Sequence, residues 1–109
     1  MSLLEFLPAA LQEYVEAVRW YARQRQGLGE ELIDEVEYRI RRAVEMPGAG
    51  RLEPDAPERF ALRWYNLHRF PYALLIGNLD TRRVVVAVAH ERRKPGYWKR
   101  RLLDSDQAS

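Results

Sequence analysis

Apolar and polar positions along this chain fall into blocks with two different periods. Met1–Leu7 is apolar apart from Ser2 and Glu5 and reads as a first strand. Pro8 sits where the first turn of a helix tolerates it. Leu11, Tyr14, Val15, Val18 and Ala22 then recur at helical spacing, which predicts one buried stripe. Gly27-Leu28-Gly29 closes that helix. Glu30 and Glu31 follow, where a helix N-terminus favours negative charge. A second stripe runs through Leu32 or Ile33, Val36, Ile40, Ala43 and Val44, and Met46-Pro47-Gly48 stops it. Two helices joined by so short a link are expected to pack as an antiparallel hairpin.

Ala49–Glu58 holds Gly50, Pro54 and Pro57 and reads as a loop. Beyond it the period changes. Phe60–Leu67 is predicted to be a strand, with His68-Arg69-Phe70-Pro71 interrupting, and Tyr72–Ile76 is predicted to be the next. Gly77–Thr81 reads as a hairpin turn and Arg82–Glu91 as the longest strand. Val84–Ala89 contains no polar residue, so this strand is expected to be central and covered on both faces. Lys94-Pro95-Gly96 ends it, Tyr97–Leu103 reads as a short helix, and residues 104–109 are expected to fray. The order is β-α-α-β-β-β with a short C-terminal helix or tail. It predicts an α+β fold in which a helical hairpin packs on a largely antiparallel sheet, as one domain over residues 1–109.

Composition changes this picture in two ways. The 109 residues are 47% hydrophobic and 31% charged, which suffices for one modest core. The net charge of +2 is unevenly placed: residues 1–50 carry a net of −3 and residues 51–109 a net of +5. Eight Lys or Arg fall between Arg82 and Arg101 against the single acid Glu91, a cluster suited to an anionic partner. The chain has no cysteine, no apolar run long enough to cross a membrane and no basic segment ahead of its first apolar residues. A cytoplasmic location without membrane contact is the expectation.

The familiar catalytic and cofactor patterns are absent. There is no phosphate-binding GxxxxGK[ST] loop and no GxGxxG. Serines lie only near the ends, which argues against a serine triad. His68 and His90 lack metal-ligand spacing, so neither metal nor cofactor is expected. The carboxylates Glu13, Glu16, Glu30, Glu31, Asp34, Glu35 and Glu37 read as solubilising helix faces. What remains is His90, Arg92, Arg93, Lys94, Tyr97, Trp98 and Lys99, at the end of the longest strand and in the turn after it.

Two uses fit that group. In metal-free RNA cleavage His90 would exchange a proton, Tyr97 would serve if nearby cations lowered its pKa, and Arg92 and Arg93 would hold phosphate. In recognition, Arg, Tyr and Trp are the types that dominate protein–protein hot spots. A structural role is open for His90 as a strand cap and for Tyr97 and Trp98 as core residues. For Trp98 it is the favoured reading.

Residues spread from Leu3 to Arg101 carry a resemblance. Ala17-Val18-Arg19-Trp20-Tyr21, Gly27-Leu28-Gly29, Glu35-Val36, Arg69-Phe70-Pro71-Tyr72 and Ala87-Val88-Ala89-His90-Glu91-Arg92-Arg93-Lys94-Pro95-Gly96-Tyr97-Trp98 stand in the order seen in the RelE/ParE superfamily. These are toxins of bacterial type II toxin–antitoxin modules, and the chain resembles the ParE-like, plasmid-stabilisation branch. The resemblance implies the fold already read. It also implies a cognate antitoxin that wraps the toxin, with operator DNA met only through the antitoxin. Trp20, Tyr21, Trp64 and Tyr65 are the expected antitoxin contacts. Arg69, His90, Arg92, Arg93, Lys94, Tyr97 and Trp98 are the expected target contacts. For a ParE-like toxin the target is DNA gyrase and no catalytic residue is assigned. A RelE-like alternative is a ribosome-dependent mRNA endoribonuclease using His90, Arg93 and Tyr97. A third reading is a degenerate toxin that only binds its antitoxin.

Overall fold

The computed structural model describes residues 2–108, with side chains as far as Leu103. Strand β1 (Glu5–Phe6) leads into helix α1 (Pro8–Gln24), and helix α2 (Leu28–Glu45) returns beside it. Strands β2 (Arg51–Leu52), β3 (Arg63–Asn66), β4 (Tyr72–Leu79) and β5 (Arg82–His90) follow, and helix α3 (Lys99–Ala108) closes the chain. The sheet order is β1-β5-β4-β3-β2. β1 runs parallel to β5, and the other neighbours are antiparallel. This is the expected α+β hairpin on a sheet. No helix among the described residues is long and apolar enough to cross a membrane.

β5 lies inside the sheet, and Val84–Ala89 are all buried. The register explains why. Tyr65, Leu74 and Val88 oppose one another on the face that also carries Tyr72, where Tyr21 of α1 packs 6.4 Å from the Tyr72 ring. Trp64, Leu75 and Ala87 oppose one another on the other face, where Trp98 meets Trp64 edge-on at 6.4 Å. The hairpin covers one side and the turn before α3 covers the other, so an uninterrupted apolar run is the pattern such a strand requires.

Several boundaries differ from the sequence pattern for physical reasons. The buried stripe of α1 is Ala10, Tyr14 and Ala17, while Leu11 and Val15 face outward. The helix is rotated so that small side chains meet the sheet and Tyr14 stacks on Phe6 of β1 at 5.3 Å. α2 buries Leu32, Val36, Ile40 and Ala43 and leaves Ile33 and Val44 exposed. It approaches α1 so closely that a Cβ at Gly29 would lie 2.8 Å from the Val18 carbonyl oxygen.

The segment expected as one strand from Phe60 begins as a 3-10 turn, Glu58–Phe60, and becomes strand only at Arg63. Ala61, with φ of 47°, makes the break. β2 lies within the segment read as loop. β4 continues through Gly77 to Leu79, so the turn contracts to Asp80 and Thr81, with Asp80 in the left-handed region at φ of 56°. Of the tail expected to fray, residues 104–108 have no described side chains and Ser109 lies outside the described residues.

Candidate functional site

The end of β5 and the turn after it form one corner of the molecule. β4 begins opposite it, because Tyr72 pairs with His90 and the Glu91 N–H donates to the Pro71 carbonyl at 2.9 Å. The Arg69–Pro71 turn is thereby held beside the Arg92–Lys94 turn. Aromatic rings knit the corner together. Trp20 packs on Tyr21 at 4.9 Å, Tyr21 on Phe70 at 4.9 Å, and Tyr72 on His90 at 5.1 Å, each near edge-to-face.

The expected target residues divide into three kinds. Arg92, Arg93 and Lys94 are exposed, and among the described residues none makes an ion pair. The Arg93 guanidinium lies over the Tyr97 ring, 3.9 Å from its centroid. Arg69 is exposed but pairs with Glu31. His90 is half-buried, and its Nδ1 accepts the Arg92 N–H at 3.1 Å, which orients the ring and tightens the turn. Trp98 is 2% exposed and belongs to the core, so it presents no surface to a target.

Tyr97 overturns one expectation. Its hydroxyl donates to Glu13 Oε2 at 2.8 Å. Burial pushes the phenol well above the ordinary tyrosine range, and the Glu13 hydrogen bond and charge push it the same way, outweighing Arg101 and Arg93. The nearby cations do not make it a ready proton acceptor.

Glu13 is the side chain of this corner that local sequence pattern hides. β1 covers the outer edge of β5 only as far as Val85, and beyond that the edge is open. Glu13 Oε1 accepts the Val88 N–H at 3.0 Å, and Arg101 Nη1 donates to the Val86 carbonyl at 3.0 Å. The two side chains bind each other through both Arg101 nitrogens, at 2.8 and 2.9 Å. Together they satisfy the strand edge where no further strand pairs. Burial by itself raises the Glu13 carboxyl. The hydrogen bonds from Arg101, Val88 and Tyr97 outweigh it and hold the group below the usual carboxylate range. Glu13 is thus a structural staple, not a solubilising charge. Glu35, which accepts the backbone N–H groups of His68 and Arg69, and Glu37, which accepts from Ser2 and Tyr14, depart from that reading in the same way.

The expected antitoxin contacts also separate. Trp20 is 50% exposed at the end of α1, and Tyr21 is half-buried beside it. Trp64 is half-buried, with its indole N–H on Glu53 Oε1 at 3.0 Å. Tyr65 is buried, its hydroxyl donating to the Pro47 carbonyl and accepting from Arg83, so it holds the segment after α2 to the sheet.

Two shallow clefts meet at His90 and Arg93. One runs past Trp64, Ala73, Ala89 and Tyr97, and its charges are mixed, with Glu53, Asp55 and Glu91 facing Arg51, Arg93 and Lys94. The other lies between α1 and the sheet, lined by Glu16, Ala17, Trp20 and Tyr72. The corner thus combines guanidinium and ammonium groups with aromatic surface, the chemistry of macromolecular recognition. No curated protein matches the chain in a search by sequence. The family model described as the ParE toxin of type II toxin-antitoxin system, parDE, matches residues 4–95.

Proposed function

Because the chain belongs to the ParE toxin family of type II toxin–antitoxin systems, we propose that it arrests growth by binding DNA gyrase through the Arg92–Lys94 turn, and that a cognate antitoxin holds it in check. The observation that carries this reading is the division of labour at the corner. Among the described residues three exposed cations have no carboxylate partner, while the one phenol of the turn is engaged by Glu13. Such a surface binds a target and needs no proton relay. The antitoxin would dock on the side of the half-exposed Trp20, where an apolar anchor can enter the cleft between α1 and the sheet.

The test is direct. Purified full-length chain is added to gyrase and relaxed plasmid, and supercoiling and accumulation of cleaved DNA are followed. The expected result is loss of supercoiling, relieved at least tenfold in the Arg92→Ala/Arg93→Ala chain with its melting temperature unchanged. Unaltered gyrase at saturating toxin would overturn the proposal.

His90, Arg93 and Tyr97 border one cleft, which favours a second reading, a ribosome-dependent mRNA endoribonuclease. There His90→Ala would abolish transcript cleavage by translating ribosomes while leaving the fold intact. Full cleavage by that variant would remove this reading.

A further inference from the structure

A separate cleft lies between the C-terminal half of α2 and the outer edge of β3, lined by Arg39, Arg42, Arg51, Tyr65, Asn66 and His68 among others. None of residues 92–98 borders it. Its charge is unbalanced. Arg42 reaches only the Met46 sulfur, at 3.2 Å, a weak acceptor. Arg51 is exposed and makes no ion pair among the described residues. Arg39 sits deeper, with its Nη2 on the His68 ring at 2.8 Å. Its Nε is buried with no hydrogen-bond partner among the described residues. The nearest carboxylate oxygen is Glu35 Oε2 at 3.9 Å, and Glu35 already accepts the backbone N–H groups of His68 and Arg69.

Folded proteins satisfy the great majority of their buried donors. An orphaned guanidinium N–H in a cleft rimmed by two more guanidinium groups that have no carboxylate partner among the described residues therefore marks a place where an anion belongs. The kind of anion follows from shape and charge. A carboxylate offers one planar pair of oxygens to one guanidinium fork. A phosphate carries up to two negative charges and at least three acceptor oxygens, so several forks engage it at once. Three guanidinium groups from two elements match the second.

We infer that this cleft is an oxyanion site for a phosphate group, with Arg39 at its floor and Arg42 and Arg51 at its rim. The phosphate arrives either on a free ester such as a nucleotide or within a nucleic-acid backbone.

The full chain, with its arginine side chains isotopically labelled, is titrated with inorganic phosphate while the Nε–H resonances are followed. The expected result is a saturable shift at Arg39, with affinity weakened at least tenfold in Arg42→Ala/Arg51→Ala. Both replaced residues are exposed, so the fold survives their loss. Arg39→Gln is a second variant, expected to abolish the response. A nucleoside monophosphate and a short DNA duplex are titrated in parallel. Tighter binding of the duplex per phosphate assigns the site to nucleic acid, and the reverse assigns it to a free ester. Absence of a saturable Arg39 shift with all three probes overturns the proposal. So does a shift unchanged in Arg42→Ala/Arg51→Ala, or saturation by a polyglutamate peptide and not by phosphate. Arg51 also borders the cleft beside His90, whereas Arg39 and Arg42 do not, so the Arg39→Gln response separates this site from the surface that the gyrase assay reads through Arg92 and Arg93.

Discussion

In Glu13→Ala one truncation removes the acceptor for four hydrogen bonds: from the Val88 N–H at 3.0 Å, the Tyr97 hydroxyl at 2.8 Å and Arg101 at 2.8 and 2.9 Å. The Glu13 and Arg101 side chains keep 15% and 17% of their exposure, so the pair lies near the buried limit. Removing one partner of a fully buried pair costs about 3–5 kcal/mol. Partial water access lowers the expected loss here to about 2–4 kcal/mol. A domain of this size holds about 5–15 kcal/mol in all, and each kcal/mol lost lowers its melting temperature by about 4–8 °C. Glu13→Gln keeps an oxygen for Val88 but loses the charge, and about 1–2 kcal/mol is expected. Urea unfolding followed by tryptophan fluorescence measures both losses, and amide exchange at Val88 shows whether the strand edge has opened. A Glu13→Ala chain within about 0.5 kcal/mol of the parent, with Val88 still protected, would refute the staple. The acid limb carries the same signature. The folded carboxyl lies below its ordinary value of about 4.5, so the native state binds this proton less readily than the unfolded state. The stabilisation is complete above the unfolded pKa and is lost as pH falls through the lower folded one. Glu13→Gln flattens that part of the stability profile.

Three further outcomes are expected. Trp98→Ala empties the space against Trp64 and is expected to cost about 3–5 kcal/mol in urea unfolding. Gly77→Ala places a Cβ against the Leu62 side chain and 2.7 Å from the Phe60 carbonyl oxygen, which is expected to cost about 1–3 kcal/mol by the same measurement. In an alkaline absorbance titration Tyr97→Phe removes a late-ionising tyrosine and leaves the early phase unchanged. A raised folded pKa gives stability that is complete below the unfolded pKa and lost as pH rises through the folded one.

The parts of the fold legible in the sequence were those written in consecutive residues. Val84–Ala89 announced a strand covered on both faces because the requirement acts on every position in turn. Leu32, Val36 and Ile40 announced the α2 face through their period. The α1 face was displaced because Ala10 and Ala17, chosen for close approach to the sheet, carry less hydrophobic signal than the outward Leu11 and Val15. The turn after β4 was placed too early because Gly77 reads as a breaker, while its bare Cα actually makes room for Leu62 inside a strand. Of the site, the exposed Arg92-Arg93-Lys94 turn was visible as a run of charge at the end of an apolar strand. Glu13 was not, because its partners Val88, Tyr97 and Arg101 are distant in sequence and the other acid of its helix, Glu16, is an ordinary surface charge. The Arg39, Arg42 and Arg51 cleft was hidden because the short Pro47–Ala49 turn that brings Arg51 beside α2 carries no period that fixes its direction.

The pairing of Glu5 with Val84 and of Phe6 with Val85 has a consequence for how the protein comes into being. β1 finds its place only beside β5, which is made after both long helices and three other strands. During translation the α1–α2 hairpin and the β3–β4 pair can gather from contacts between neighbours, but β1 has no strand to join until β5 has left the ribosome. Long-range closure of this kind is slow compared with helix pairing. The Arg92–Lys94 turn follows β5 directly, and Trp98 and Arg101, which pack beside that strand and bind its edge, come later still. A nascent chain therefore cannot present the Arg92–Lys94 turn in its folded setting until β5 has paired with both β1 and β4.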